Sequence, residues 1–411
     1  MRSRSVRLAT PGSVLAIALI GCGCAAPASP APASPAQSSP APVSPAASPS
    51  RHLQGSPPRT AGPPPGPAAP PGTLVSAAFV SPAQGWLLLT APCGRALCLH
   101  LEHTTDSGGR WTAVPSAELA RPALAGQIEA IRFADPRDGW AYGSGRLLAT
   151  HDGGRTWRAQ ALPGLGRPRA TVEGLGVLNG TVAALVADGI NPDDDGPSQL
   201  YTSDAAKDSW RLVPAAGASG GEGSFTAAAG AGAGAAYAAF TEESGTAAGT
   251  TVTGLALFRS RDGRNWTRLP APPCPGTPAA ATATILYLVC VDGAAAGSTG
   301  KLVYASADGG RSWRHLTSAP TGGDLDGVTA TPATLLVSWG GGAAGIYVSS
   351  DGGRHWATAY TGHIPDGITE TAMTTATFGY AIDSRSLLLL TRDAGRHWAA
   401  VRAPGLRAPP G

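Results

Sequence analysis

The chain has 411 residues, of which 14% are charged, and a formal net charge of +3, with 56 glycines and 38 prolines. So nearly neutral a balance excludes nucleic acid or an anionic membrane surface as an electrostatic partner. The length is enough for a large buried core, held either in two or three average domains or in one repetitive one.

The N-terminus reads as an address. Arg2, Arg4 and Arg7 precede a short apolar run, Val14 to Ile20, too brief to span a bilayer and suited to the core of an export signal. It ends in "LIGC", where Leu19, Ile20, Gly21 and Cys22 resemble the lipobox of bacterial lipoproteins. That resemblance implies cleavage before Cys22 and a diacylglyceryl thioether on its sulfur, so residues 1–21 are expected to be removed. An ordinary signal peptide cut near "CAA" at 24–26 is the alternative. Residues 22–73 are almost entirely Ala, Pro, Ser and Gly, which cannot bury enough apolar surface to offset the entropy of ordering. At about 3 Å per residue such a tether would hold a folded part on the order of 100 Å from the lipid. The expected location is extracytoplasmic, with the lipid anchor as the only membrane contact.

The remaining cysteines fit an exported chain. Cys93 and Cys98 flank the short loop "CGRALC", and Cys274 and Cys290 flank one strand and its turn. Either pair can form a disulfide in an oxidising compartment, although spacing alone does not fix the pairing and four buried thiols would read the same way.

From there on the chain repeats. The octets "TTDSGGRW", "THDGGRTW", "SADGGRSW", "SSDGGRHW" and "TRDAGRHW" end at Trp111, Trp157, Trp313, Trp356 and Trp398. A copy one residue longer, "TSDAAKDSW", ends at Trp210, and one a residue shorter, "SRDGRNW", ends at Trp266. A period of roughly forty to fifty residues marks a solenoid, propeller or array. Each copy lies between short apolar runs, a hairpin signature, and two more short strands precede it, as in "IEAIRFAD" followed by "GWAYG". Four strands in each of seven units, with no segment of helical period, predict an all-β chain: a seven-bladed β-propeller over 74–405, followed by a tail at 406–411.

The spacing Ser/Thr-x-Asp-x-Gly-x-x-Trp resembles the Asp-box, or BNR repeat, and its pairing with an upstream "F…DGWA" strand is similar to propellers of the photosystem II stability and assembly factor type. The same repeat occurs in sialidases, xyloglucanases and sortilin-type receptors, so the resemblance implies a fold more than a function. Residue types assign the octet a structural role. Asp106, Asp152, Asp204, Asp262, Asp308, Asp351 and Asp393 are expected to accept hydrogen bonds from their own turns, and the second residue past the acid, usually Gly, to supply a positive φ. The tryptophans are expected to plug the gaps between blades.

In antiparallel blades the octets share one face, whereas second-to-third turns and blade-to-blade connections share the other. That other face receives the insertions at 188–199, 241–254 and 291–300, and with Asp193, Asp194, Asp195, Glu242 and Glu243 it forms the candidate binding rim for a protein or glycan. The three consecutive aspartates lack the spaced ligands of a calcium loop, so no metal is expected. "GASGG" around Ser219 lacks a strand-to-helix elbow, and His100 and His103, three apart on a strand, point to opposite faces. No catalytic set and no cofactor is expected, and a monomer suffices. A sialidase- or xyloglucanase-like hydrolase is the alternative. Arg132 is a loose substitute for the sialidase arginine, and Glu129, Asp135, Glu173, Asp324, Asp326 and Glu370 supply acids near the innermost strands.

Overall fold

A computed structural model describes residues 72–401, except 166–169, 189–195, 219–222, 228–233, 247–248, 296–297, 342–343 and 363–366. Cys22, the tether, Asp193, Asp194, Asp195, Ser219 and the tail therefore lie outside the described residues.

Twenty-eight strands form seven four-stranded antiparallel sheets, each built from four consecutive strands. The blades occupy 73–114, 128–159, 170–218, 223–268, 276–319, 324–362 and 368–401. Among the described residues the only helix is a 3-10 turn, Pro122–Leu124, in the first connection. Sequence reading places the strands well: "GWLLL", "GWAYG" and "GYAI" all fall on second strands.

Seven hydrophobic clusters hold the ring together, each drawn from two neighbouring blades. One contains Ala77, Phe79 and Leu87 of the first blade with Phe378, Tyr380 and Leu390 of the last, so side-chain packing closes the ring without a shared strand. Trp111, Trp157 and Trp266 are buried as expected, but Trp210, Trp313, Trp356 and Trp398 remain partly open. The deepest indoles are instead Trp86 and Trp140, early on second strands, with Trp86 stacked on Phe133 of the next blade at 4.0 Å. The octet tryptophan sits at the rim of each cluster, where the outermost strand leaves it one open side.

Within an octet the hydrogen bonds are local. Ser306 Oγ donates to Asp308 Oδ1 at 2.7 Å and accepts from Gly310 N at 2.7 Å, while Asp308 Oδ1 accepts from the amides of Arg311 and Ser312. The same pattern recurs around Asp152 and Asp351, and Asp106 and Asp393 keep most of it. The short copy keeps it around Asp262, whereas the long copy loses the Thr202 contacts and ties Asp204 to Lys207 and Arg264. Two successive residues take positive φ, not one: Ser107 and Ala394 occupy the first position, but glycine always takes the second in the five regular octets. A Cβ on Gly154 would lie 2.3 Å from Leu101, and one on Gly395 2.5 Å from Leu336, so packing and φ act together there.

Candidate functional site

Innermost strands begin on the face opposite the octets, and there the blades differ from one another. Five of them carry a register shift near their start, at Val75, Glu129, Glu173, Asp326 and Thr369. A bulge re-aims the side chain it displaces. Three of the five displaced residues are acids, and Glu173 and Asp326 reach the next blade. Asp326 Oδ2 accepts from Ile368 N at 2.8 Å, and Glu173 accepts from Gly223 N. Glu129 accepts from Ser144 of its own blade at 2.7 Å.

Deeper in, the same device recurs without a bulged acid. Ser76 Oγ accepts from Ile131 N at 3.2 Å, Thr226 Oγ1 from Ala280 N at 3.1 Å, and Glu370 Oε2 from Ala77 N at 3.3 Å. Five of the seven blade junctions are thus latched by one side chain accepting an amide from the next innermost strand.

Glu370 stands at the centre of the most elaborate of these. Its Oε1 accepts from Tyr380 at 2.7 Å and its Oε2 also accepts from Ser76 Oγ at 3.0 Å, while Tyr380 is close enough to contact Ala77 O as well. Burial pushes the carboxyl up, against the pull of these donors and of Arg132. Burial also opposes the charge of Arg132, but Tyr380, Tyr142 and Glu370 outweigh it, and Arg132 Nε donates to Leu175 O at 3.3 Å. Tyr142 is pushed up to about 12, chiefly by burial. This is a closed structural network: both carboxylate oxygens are occupied, and no base is left free.

Asp326 is raised to about 6, first by burial and then by the like charge of Asp324. Such a pair has the electrostatics of an acid–base couple. Its geometry does not match that role, because a Cβ on Gly367 would lie 2.3 Å from Asp326 Oδ2 and one on Gly340 2.8 Å away. Backbone encloses the carboxylate on both sides. Lys301 nearby is fully buried, with Nζ donating to the carbonyls of Thr299, Gly322 and Gly323. Asp135 lies not on the innermost strand but in the turn after it, capping the amides of Arg137 and Asp138.

The rim departs from the irregular loops expected of it. The described parts of the insertions are continuations of the second and third strands, which remain paired to Asp188↔Gly196, Thr246↔Gly249 and Ala295↔Ser298. Glu242 is not free, for it is bridged by Arg268. Glu243 pairs with Val252 in the strand register. On these hairpins Val252 and Val291 are each 43% exposed, and Leu97 on the hairpin of the first blade is 53% exposed. Both cysteine pairs are joined, Cys93 to Cys98 and Cys274 to Cys290, with Cα separations of 5.7 and 6.2 Å. Both bridges lie toward this face.

The sequence carries a partial signal for the latches and a stronger one for the deep aromatic residues. A polar residue stands three before the closing apolar one in Ser76…Phe79 and Glu370…Met373, and an aromatic residue recurs at the second position of second strands, Trp86, Trp140, Tyr237, Tyr287 and Tyr380.

No protein-family model and no curated protein sequence matches the chain. Solved structures do resemble it. An ancestral GH74 enzyme superposes with a TM-score of 0.51 at 14% identity, over 82% of this chain and 47% of that one. YCF48 from Cyanidioschyzon merolae gives 0.47 at 16%, over 80% and 95%, and YCF48 bound to D1 peptide gives 0.44 at 17%, over 68% and 82%. The shared property is the fold. At 14% identity the likeness to the GH74 propeller carries no activity to this chain.

Proposed function

We propose that this chain is an extracytoplasmic lipoprotein, anchored through Cys22, whose propeller binds a protein or glycan partner without catalysis through the face opposite the octets. The observation that carries this reading is the employment of the inner acids. Glu129, Glu173, Asp326 and Glu370 all accept hydrogen bonds within the ring, whereas glycoside hydrolysis needs two carboxyl groups presented to one substrate. Asp324 alone stands outside this pattern, and one acid does not make the pair. Extended hairpins with exposed Val252 and Val291 on adjacent blades supply the apolar contact that binding surfaces use.

The experiment is recovery of cross-linked partners from membranes, comparing wild type with a chain whose hairpins 188–199 and 241–254 are cut back to tight turns. Loss of a partner is expected, and unchanged recovery overturns the assigned face. A screen of fluorogenic glycosides on purified protein checks the alternative; turnover abolished by Asp324→Asn would overturn the non-catalytic reading. Palmitate-analogue labelling lost in Cys22→Ala is the expected sign of the anchor.

A further inference from the structure

A cleft of about 410 Å³ opens at the outer rim of the octet face, where the fourth blade meets the fifth. Arg259, Arg261, Arg268 and Arg311 line it, with Asp262 and Asn265. The volume falls within the range of small-ligand sites.

Arg259 is the residue that needs explaining. It is only 7% exposed, and its guanidinium lies 5.8 Å from the Tyr237 ring centroid. Nη2 donates to Ala283 O at 2.6 Å, but Nε has no acceptor, and no carboxylate pairs with it among the described residues. A buried cation without a counter-charge is unfavourable unless something supplies one. The repeat does not require it: the residue before the octet Ser or Thr is His103, Ala149, Tyr201, Ala305, Val348 or Leu390 in the other blades. The fifth blade accommodates it, since a Cβ on Gly309 would stand 2.6 Å from Arg259 Nη1.

The neighbours leave the excess charge unmet. The Asp262 carboxylate is already saturated by Ser260 Oγ, the amides of Arg264 and Asn265, and Asn265 Nδ2. Arg268 is engaged by Glu242, Arg311 Nη1 donates to Asp308 O, and Arg261 is exposed with no ion pair among the described residues. Of the four guanidinium groups only Arg268 is ion-paired among the described residues, to Glu242, and the Asp262 carboxylate is taken up within its own turn.

We propose that this cleft binds a small oxyanion-bearing ligand, a carboxylate, sulfate or phosphate group seated against Arg259 and closed over by Arg261. Guanidinium donors match such groups in shape and charge. The oxyanion can belong to a free anion or to an acidic sugar, and the two sources are separable by experiment. The site lies on the octet face, so it stands or falls apart from the partner surface proposed above.

The test is calorimetric titration of the purified protein with sodium sulfate, sodium phosphate and sodium glucuronate, alongside thermal melts in each. Saturable binding is expected for at least one, weakened about tenfold or more in Arg259→Met, the loss of one charged contact being worth roughly that factor. Preference for glucuronate identifies an acidic sugar, and preference for an inorganic anion a free ligand. Because Arg259 is buried and its variant can fail to fold, Arg261→Gln provides the second arm, with the same weakening expected on a surface position. Absence of saturable binding by all three probes overturns the proposal, as does binding that Arg261→Gln and Arg259→Met leave unchanged.

Discussion

The two faces of the ring solve the same problem differently. On one, a single turn is repeated with its own acid, hydroxyl and glycine, so each blade closes its outer hairpin with contacts that lie within a few residues of sequence. On the other, five of the seven junctions find individual solutions: a serine, a threonine, an aspartate or one of two glutamates reaches across to the next innermost strand, and two hairpins are stapled by disulfides. Local closure can be copied, whereas a junction between two blades depends on what both happen to present.

The sharpest way to break this comparison is Glu370→Ala. It removes the acceptor of the Ser76 hydroxyl and of Ala77 N, and leaves Tyr380 Oη only Ala77 O, at the junction where the ends of the ring meet. Leaving several buried polar groups unpaired is expected to cost about 3–4 kcal/mol. Urea unfolding reads it directly, and a loss below about 1 kcal/mol would mean that packing alone closes the ring.

Next comes the covalent staple. Cys274 and Cys290 close a separation of 16 residues and Cys93 and Cys98 one of 5. Loop-closure entropy assigns about 3 kcal/mol to the first and about 2 to the second. Double alanine variants of each pair, compared by melting, should rank in that order; the reverse order would mean the short bridge secures more than its own hairpin.

The octet face can be dissected within one turn. Ala394 and Gly395 both have positive φ, at 63° and 82°, yet only the second lies against Leu336, which is fully buried. Gly395→Ala is expected to lose about 2 kcal/mol, from strain and from displacing Leu336. Ala394→Gly should change stability by less than about 1 kcal/mol, in the stabilising direction, because it relieves the left-handed alanine. A loss in Gly395→Ala no larger than the gain in Ala394→Gly would show that φ, and not packing, selects glycine at the second position.

The same contrast decides what could be read from the sequence. The seven octets, their strands and the face they share were legible because local turns need the same residues each time, so Asp308 and Asp351 announce themselves by repetition. The insertion "TEESGTAAGTTVTG" reads as a loop because Gly, Ala, Ser and Glu interrupt its β-branched residues, yet pairing to a neighbouring strand extends the hairpin regardless. The latches escaped because Ser76, Thr226, Glu173, Asp326 and Glu370 share a task and not a residue type. Nothing in the repeat marks Arg259; only its burial without a counter-ion among the described residues distinguishes it.

One octet breaks the division between faces, and it supplies the smallest effect. His151, inside the second octet, reaches Asp138 of its own blade at 2.8 Å through Nδ1 and Asp208 of the third blade at 2.9 Å through Nε2. Asp208 belongs to the overlong copy, so the extra residue there converts a local turn into a junction. Both ring nitrogens face carboxylates, an arrangement only the imidazolium satisfies fully. Burial pulls the His151 pKa down, but the hydrogen bonds and charges of Asp208 and Asp138 outweigh it and leave the value raised. A raised histidine contributes stability that is present in full below the unfolded value, about 6.5, and is lost as pH rises through the folded value. Asp326, raised to about 6, favours the folded state at low pH in the same direction. The quantity to measure is therefore the loss of stability on going from pH 5.5 to pH 8 in wild type minus the same loss in His151→Gln. It should be positive and below about 1 kcal/mol, as befits a partly exposed ion pair. If His151→Gln keeps the whole pH dependence, the clasp is ornamental and the octet face is as purely local in the second and third blades as in the rest of the ring.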